Sequence, residues 1–96
     1  MARERLIISY DIADPKRLRS IARTLESYGW RIQYSVFECP LSAKKKAELL
    51  AQLAEQINHR EDQVLILSLG NEATSKSNAI QSIGKNYGKN HKISIF

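Results

Sequence analysis

A short apolar run near the start of the sequence decides the fold: LIISYD, residues 6–11. Its residues favour β-structure and the charged Asp11 ends it, so the pattern predicts a buried strand with an acidic residue at its carboxyl end. The run is apolar at odd and even positions alike, and so is a second run, VLILSL, at residues 64–69. A sheet built on these strands therefore needs apolar cover on both of its faces.

Two amphipathic helices are predicted between the strands. Asp14 and Pro15 form a helix start, because Asp supplies an N-cap oxygen and Pro suits the first helical position. Helical spacing of apolar residues then continues to Gly29, and Ser42 caps a second helix. Two helices can cover only one face of a sheet, so we expect a second copy of the chain to cover the other. The expected form is a homodimer packed sheet to sheet.

The remaining segments have weaker patterns. Residues 30–39 alternate in polarity, which predicts one continuous strand closed by Pro40. Residues 71–92 form a polar insert rich in Ser, Asn, Lys and Gly, with a faint helical pattern over 79–83. Residues 93–96 are predicted to form a short terminal strand.

The composition indicates one small domain with an anionic partner. The 96 residues predict a single domain over 1–96, with its core over 5–69. No apolar run reaches the roughly 20 residues of a membrane span, and no basic-then-apolar leader opens the sequence, so we expect a cytoplasmic protein with no membrane partner. Cys39 is the single cysteine, which excludes an internal disulfide. The net charge of +5 concentrates near the first helix and after residue 70.

Asp11 is the first candidate for a functional residue, although a turn-forming role would also explain an aspartate there. Ile7, Ser9 and Asp11 share one face of the predicted strand. If that face meets its twofold mate, two Asp11 carboxylates approach each other, and at ~4 Å they repel by about 4 kcal/mol at an effective dielectric constant of about 20. A proton or a cation must then lie between them. Asp11 is therefore a candidate ligand for Mg²⁺ that depends on the dimer.

Three arginines are candidate phosphate contacts, because the guanidinium group matches phosphate oxygens in a bidentate way: Arg17, Arg19 and Arg31. The alternative is a solvated surface, which is the usual location of helix charges. The tail over residues 85–92 also combines cations with an aromatic residue, but a plain surface loop explains it better.

Two motifs together resemble the small CRISPR-associated proteins of the Cas2 family, which act in spacer acquisition. The first is Tyr10-Asp11-Ile12, followed by an arginine-rich helix, and the second is RIQYSVFE at residues 31–38. An aromatic residue followed by Asp is a weak signal by itself, but its coupling to the second motif some twenty residues later is specific. The similarity in length, spacing and motif order spans about residues 5–69.

The resemblance implies an α+β protein with a ferredoxin-like βαββαβ fold, an additional C-terminal strand and a homodimeric assembly. It implies two strands where the alternation predicts one, with a sharp fold near residues 34–35, and a terminal strand at 93–96 that adds to the partner's sheet.

The resemblance also implies site residues and a function. Asp11 matches the family's catalytic aspartate, which binds a divalent metal such as Mg²⁺, and Tyr10 is a supporting residue beside it. Arg17 and Arg19 match backbone-binding arginines. Residues 31 and 37 lie on the second motif, where Arg31 is implied to bind nucleic acid and Phe37 to support it. Members of the family are described as metal-dependent endonucleases on RNA or DNA and as partners of the CRISPR integrase.

Three functions compete at this point. The first is an endonuclease that uses the Asp11 pair and a metal ion to hydrolyse phosphodiesters. The second is a non-catalytic dimeric scaffold that binds DNA for the CRISPR integrase, which needs the arginines but no metal. The third is a ferredoxin-like module for a small metabolite, which the basic charge and the lack of a glycine-rich ligand loop disfavour.

Overall fold

The fold is a mostly antiparallel sheet with both helices on one side of it. The computed structural model describes residues 3–70, 80–85 and 94–95. Its helices are α1 (Pro15–Glu26) and α2 (Ala43–Gln56). Its strands are β1 (Glu4–Asp11), β2 (Trp30–Gln33), β3 (Val36–Leu41), β4 (Gln63–Ser68), β5 (Ile80–Gly84) and β6 (Ser94–Ile95). Neither described helix has the length and apolar content that crossing a bilayer requires.

The strands lie in the order β2-β3-β1-β4-β5-β6. β1 pairs antiparallel with β3 on one side and with β4 on the other, and β2 pairs antiparallel with β3. These four strands and the two helices form a ferredoxin-like βαββαβ arrangement, which confirms the predicted α+β class. β5 extends the sheet antiparallel to β4, and β6 pairs in parallel with β5.

Both helices begin at the predicted caps. The Asp14 side chain accepts a hydrogen bond from the Arg17 backbone N–H at 2.9 Å, and Pro15 occupies the first turn of α1. That hydrogen bond is the main reason why the pKa of Asp14 lies below its usual value. The hydroxyl oxygen of Ser42 accepts from the Lys45 N–H in the same way at the start of α2. Each cap satisfies a backbone donor that the helix itself leaves unpaired.

The hydrophobic core lies between the helices and one face of the sheet. Along β1, Leu6, Ile8 and Tyr10 are buried in the core, and the residues between them lie on the other face. The buried apolar residues of the core are Leu6, Ile8, Tyr10, Ile21, Leu25, Phe37, Cys39, Leu41, Leu49, Leu53, Ile57, Val64 and Ile66. This burial stabilises one face of the sheet and leaves the other face without helical cover.

Residues 30–41 form a hairpin, so the prediction of one continuous strand was wrong. β2 and β3 pair antiparallel, and the chain reverses at Tyr34 and Ser35. The turn contains no Gly, Asn or Pro that would mark it in the sequence. Tyr34, a residue type that rarely does so, takes the positive φ of 23°. The fold near residues 34–35 that the resemblance implied is confirmed.

Pro40 lies inside β3 and does not end the strand, contrary to the prediction. Its partner on β1 is Arg5, whose N–H and C=O groups bond to Gly70 and Leu69 on the other side. Arg5 therefore makes no ladder bond with Pro40, and the missing proline N–H points away from β1. The pairing of β2 with β3 extends to Glu38, so Pro40 removes no bond from the sheet.

Part of the predicted polar insert is a strand, so the faint helical pattern over 79–83 was wrong. β5 pairs antiparallel with β4, and Ile83 lies opposite Val64 and packs against the core. Ser82, on the other face of β5, is fully buried. Pairing with an apolar neighbouring strand outweighs a weak helical preference, because a strand's stability comes mainly from its neighbours.

The structure describes only part of the segments predicted near the end of the sequence. β6 lies within the predicted terminal strand at 93–96, and it pairs with β5 of its own chain. Residues 71–79 of the insert lie outside the described residues. The same is true of residues 86–92 in the basic tail.

Gly84 ends β5 at a point of close approach. Its φ is 99°, and a Cβ at this position would overlap the backbone oxygen of Asp62. We expect Gly84→Ala to lower the free energy of unfolding by more than the roughly 1–2 kcal/mol of a left-handed backbone alone, as measured by urea denaturation. Gly84→Asn relieves the backbone strain but keeps the overlap, so it should be destabilised as well. Equal denaturation midpoints for both variants and the unmodified chain would contradict this account.

Candidate carboxylate site and nucleic-acid interface

Asp11 is the last residue of β1, and its side chain is exposed. Its partner across the sheet is Gln63, at the start of β4. The alternation along β1 places Asp11 on the face opposite the helices, together with Ile7 and Ser9. The predicted metal-binding and catalytic residue therefore lies at the end of the face that the helices leave uncovered.

The middle of this face carries a group of apolar side chains beside the polar Ser9 and Glu38. Directly paired residues of neighbouring strands share a face, so Ile7 and Ser9 of β1 lie beside residues of β3 and β4. The four half-buried apolar side chains of the face, which we call the open-face patch, are Ile7, Val36, Leu65 and Leu67. No described helix covers them. The expectation that two helices would protect only one face of the sheet is confirmed.

Asp11 is the one residue that the sequence predicts as a metal ligand, and it is exposed at the end of β1. In the described parts of the chain, no three His, Cys, Asp or Glu side chains lie close enough together to hold a metal ion. Mg²⁺ requires near-octahedral oxygen ligands, and one or two carboxylates with several waters can provide them. Asp11 has the right chemistry, but the residues of one chain fit the ion only if a second copy supplies another carboxylate.

Asp62 is fully buried and joins three segments of the chain. Its Oδ1 accepts a hydrogen bond from the Ala13 N–H at 2.8 Å, and its Oδ2 accepts from the Asn58 N–H at 2.8 Å. The Arg17 guanidinium donates to the same carboxylate, with Nε 2.7 Å from Oδ2 and a second nitrogen 3.2 Å from Oδ1. This arrangement, which we call the Asp62 clamp, holds the loop after β1, helix α1 and the turn before β4 together.

The carboxylate of the clamp stays ionised although it is buried. Burial by itself raises the pKa of Asp62, but the hydrogen bonds from Arg17, Asn58 and Ala13 more than offset this and hold the pKa at about 2. The same side-chain hydrogen bond to Asp62 raises the pKa of Arg17 above its usual value, and Glu61 adds a contact at 3.1 Å. At neutral pH the Asp62 carboxylate is therefore negatively charged and the Arg17 guanidinium is positively charged.

Arg17 is engaged within the chain, and this changes its expected role. Only 27% of its side chain is exposed. Its contact with phosphate stays a prediction, but a phosphate at this position would compete with the Asp62 carboxylate. Withdrawing Arg17 would leave a buried charge unpaired, which is strongly unfavourable. Arg17 therefore differs from Arg19 and Arg31, because its guanidinium is ion-paired within the chain.

Arg19 and Arg31 line one groove of about 350 Å³ between α1 and the β2–β3 hairpin. The residues that line this α1–hairpin groove are Tyr10, Leu18, Arg19, Ala22, Arg31, Tyr34 and Ser35. The Arg31 guanidinium lies 5.2 Å from the ring centroid of Phe37, and the Phe37 ring lies 6.2 Å from that of Tyr10. Two predicted nucleic-acid contacts and the two predicted supporting aromatics are thus brought together, on the side of the sheet away from Asp11.

Sequence reasoning missed two residues that shape this region. It assigned no role to the polar residues 58–62, although an aspartate directly before a strongly apolar strand signals a carboxylate that needs buried partners. Tyr34 gave no signal at all, because large aromatic residues seldom occupy positive φ.

The match to a known protein family covers the residues of the candidate site. The family model described as CRISPR associated protein Cas2 matches residues 4–77. The chain belongs to the Cas2 family. The CRISPR-associated endoribonuclease Cas2 1 of Rhodospirillum rubrum is 39% identical over 79 residues, which cover 82% of this chain and 76% of that protein. The CRISPR-associated endoribonuclease Cas2 of Geobacter sulfurreducens is 40% identical over 81 residues, which cover 84% of each chain.

Solved structures similar to this Cas2-family chain have the same fold. The crystal structure of Streptococcus pyogenes Cas2 superimposes with a TM-score of 0.65 at 31% identity, over 69% of this chain and 86% of that chain. A hypothetical protein from Thermus thermophilus superimposes with a TM-score of 0.70 at 28% identity, over 79% of this chain and 93% of that chain. The resemblance inferred from the two sequence motifs is confirmed.

The Asp62 clamp predicts a loss of stability in acid. The pKa of Asp62 is about 2 in the folded chain against 3.8 as the ordinary value, so its stabilising effect is complete above about pH 5 and is lost as the pH falls toward 2. We expect this carboxylate to account for about 2 kcal/mol of the decrease in unfolding free energy over that range, measured by urea denaturation at several pH values.

Asp62→Asn should be less stable at pH 7 and should lack this part of the pH dependence. Glu61→Gln is the matched control, because Glu61 is an exposed partner of the same arginine. An unchanged acid dependence in Asp62→Asn would contradict the assignment.

Proposed function

We propose that the chain is an endonuclease of the CRISPR adaptation stage, cleaving phosphodiester bonds of RNA or DNA. The position of Asp11 carries the proposal: an exposed carboxylate at the end of the central strand, on the same face as the open-face patch. The names of the relatives support it, since those of Rhodospirillum rubrum and Geobacter sulfurreducens are called endoribonucleases. The basic residues of the α1–hairpin groove provide the charge that an anionic substrate requires.

The active form in this proposal is a homodimer packed through the open-face patch. Burial of apolar surface contributes about 25 cal/mol per Å², so two copies of the patch favour association with each other. A twofold axis near the end of β1 brings the two Asp11 side chains together. Each chain then supplies half of the acidic site.

The metal in this proposal is a divalent cation such as Mg²⁺, bound by the two Asp11 carboxylates of the dimer. When bound, such an ion can polarise a phosphoryl oxygen and lower the pKa of a water molecule. The two carboxylates relieve their mutual repulsion by holding the ion. The arginines bind the phosphates of the substrate and neutralise their charge.

The described residues contain no group of three His, Cys, Asp or Glu side chains that could hold a metal ion, and this favours a second candidate function. In this alternative, the same dimer is a non-catalytic scaffold that positions DNA for the CRISPR integrase, and the arginines bind the DNA backbone without any cleavage. We propose nucleic acid and the integrase as partners under both functions, in the cytoplasm. The two functions differ in whether Asp11 is needed for activity.

The dimer is tested by placing a charge in the open-face patch. We expect Leu67→Glu to be monomeric in sedimentation experiments at concentrations where the unmodified chain is a dimer, because burying an unpaired carboxylate at the interface is costly. Ala47→Glu adds the same charge on the exposed face of α2 and should leave the dimer intact. The proposed interface is wrong if Leu67→Glu still dimerises.

The catalytic role is tested by a nuclease assay with added Mg²⁺. We expect Asp11→Asn to reduce the rate of cleavage of single-stranded RNA or DNA by at least about 100-fold, since it removes the charge that holds the cation. Glu55→Gln removes an exposed carboxylate on α2 and serves as the control. Cleavage at an unchanged rate in Asp11→Asn, or no cleavage by the unmodified chain together with intact DNA binding, would favour the scaffold.

A further inference from the structure

The α1–hairpin groove presents cations from both of its walls. Arg19 projects from α1 and Arg31 from β2, and the lining residues include no carboxylate. Within the part of the chain that the structure describes, the ion pairs of arginine involve Arg5 and Arg17. Arg19 and Arg31 therefore keep their donors for an anion from outside the chain.

The guanidinium of Arg31 is positioned before any ligand arrives. Arg31 lies directly opposite Phe37 in the hairpin, and its guanidinium lies 5.2 Å from the centroid of that ring. Phe37 is completely buried, so the ring is a fixed support. A cation held over an aromatic face loses less freedom when it binds a ligand, which favours binding.

Tyr34 adds an aromatic surface at the rim of the groove. It lies at the tip of the hairpin, with 87% of its surface exposed and with a φ of 23°. Bulky residues rarely occupy this backbone region, and such outliers concentrate at sites of function. An exposed aromatic ring beside cations is the arrangement that binds unpaired bases, because every base can stack on a ring.

We infer that the α1–hairpin groove is a subsite for one unpaired nucleotide, whose base stacks on Tyr34 and whose phosphate lies between Arg19 and Arg31. The inference rests on the proposed action on nucleic acid and assigns a specific location to one nucleotide. The groove volume of about 350 Å³ lies within the usual range of roughly 300–1,000 Å³ for ligand pockets. The strand must be single, because bases inside a duplex are stacked on each other and cannot reach the ring.

The subsite also has a defined relation to the acidic site. Tyr10 lines the groove and directly precedes Asp11 in β1. Successive side chains of a strand point to opposite faces, so the groove and the Asp11 carboxylate lie at the same end of β1 but on opposite faces of the sheet. A nucleotide bound in the groove therefore leaves the face that carries Asp11 free.

The test is a binding measurement that does not depend on cleavage. Fluorescence anisotropy is measured in EDTA with a labelled 12-nucleotide single-stranded RNA and with a 12-base-pair RNA duplex. We expect Tyr34→Asn to weaken binding of the single strand by about tenfold and to leave binding of the duplex unchanged, because it removes one stacked base. Asn tolerates positive φ, so this variant should melt at or above the temperature of the unmodified chain.

Two further comparisons define the site. Tyr34→Phe keeps the ring and should bind the single strand as the unmodified chain does. Arg19→Gln and Arg31→Gln should each weaken binding of the single strand several-fold, whereas Arg23→Gln, which removes an exposed charge one turn further along α1, should have little effect. An equal loss in Arg23→Gln would mean that charge acts diffusely, and it would overturn the subsite.

The outcomes separate this inference from the proposed function. If Tyr34→Asn weakens neither ligand, or weakens both equally, the subsite is wrong while the proposed action on nucleic acid stands. If the unmodified chain binds neither RNA ligand nor single- or double-stranded DNA, both the proposed function and the subsite fail. A loss confined to the single strand supports the subsite.

Discussion

Asp62 places a full negative charge inside the protein, and three segments of the chain converge on it. An unpaired carboxylate in this environment would cost several kcal/mol, so the loop after β1, the first turns of α1 and the turn before β4 must all keep their positions. The hydrogen bonds of 2.7–2.8 Å from Arg17, Ala13 and Asn58 meet this requirement. The direction in which the chain leaves Asp11 is set by the same contacts, since Ala13 follows two residues later. The electrostatics of one buried side chain thus fix the surroundings of the exposed one.

Side chains along β1 alternate between the two faces of the sheet, so neighbouring residues contribute to different surfaces. Tyr10 belongs to the helical side, where it supports the α1–hairpin groove, and Asp11 belongs to the open side with its apolar patch. Adjacent residues therefore serve different surfaces without competing for space. A small domain can in this way carry an apolar patch, an exposed carboxylate and a cationic groove around one strand.

Much of this fold is predictable from the sequence because the strong signals are local. The apolar strands, the caps at Asp14 and Ser42 and the shared face of Ile7 and Asp11 all follow from residue spacing. The hairpin turn at Tyr34 was missed because its backbone is held by pairing between β2 and β3, which no local pattern records. The role of β5 was missed for the same reason, since its partner lies in β4.

The candidate site was predicted less completely than the fold. Arg17, Arg19 and Arg31 look alike in the sequence, but their roles depend on which carboxylates the folded chain brings near them. Asp62 is 45 residues away from Arg17, and this separation hides their pairing from any reading of spacing. Asp11 and the groove arginines were candidates from strand position, from side-chain chemistry and from the family resemblance, whereas the clamp became visible only in three dimensions.

The central place of β1 also affects how the protein is made. Leu6 pairs with Cys39 on one side and with Ser68 on the other, so β1 leaves the ribosome well before either of its partner strands. At about 5–20 residues per second, several seconds pass before β4 has emerged. Until then β1 can pair only with β3, so its other edge stays unpaired and open to pairing with other chains.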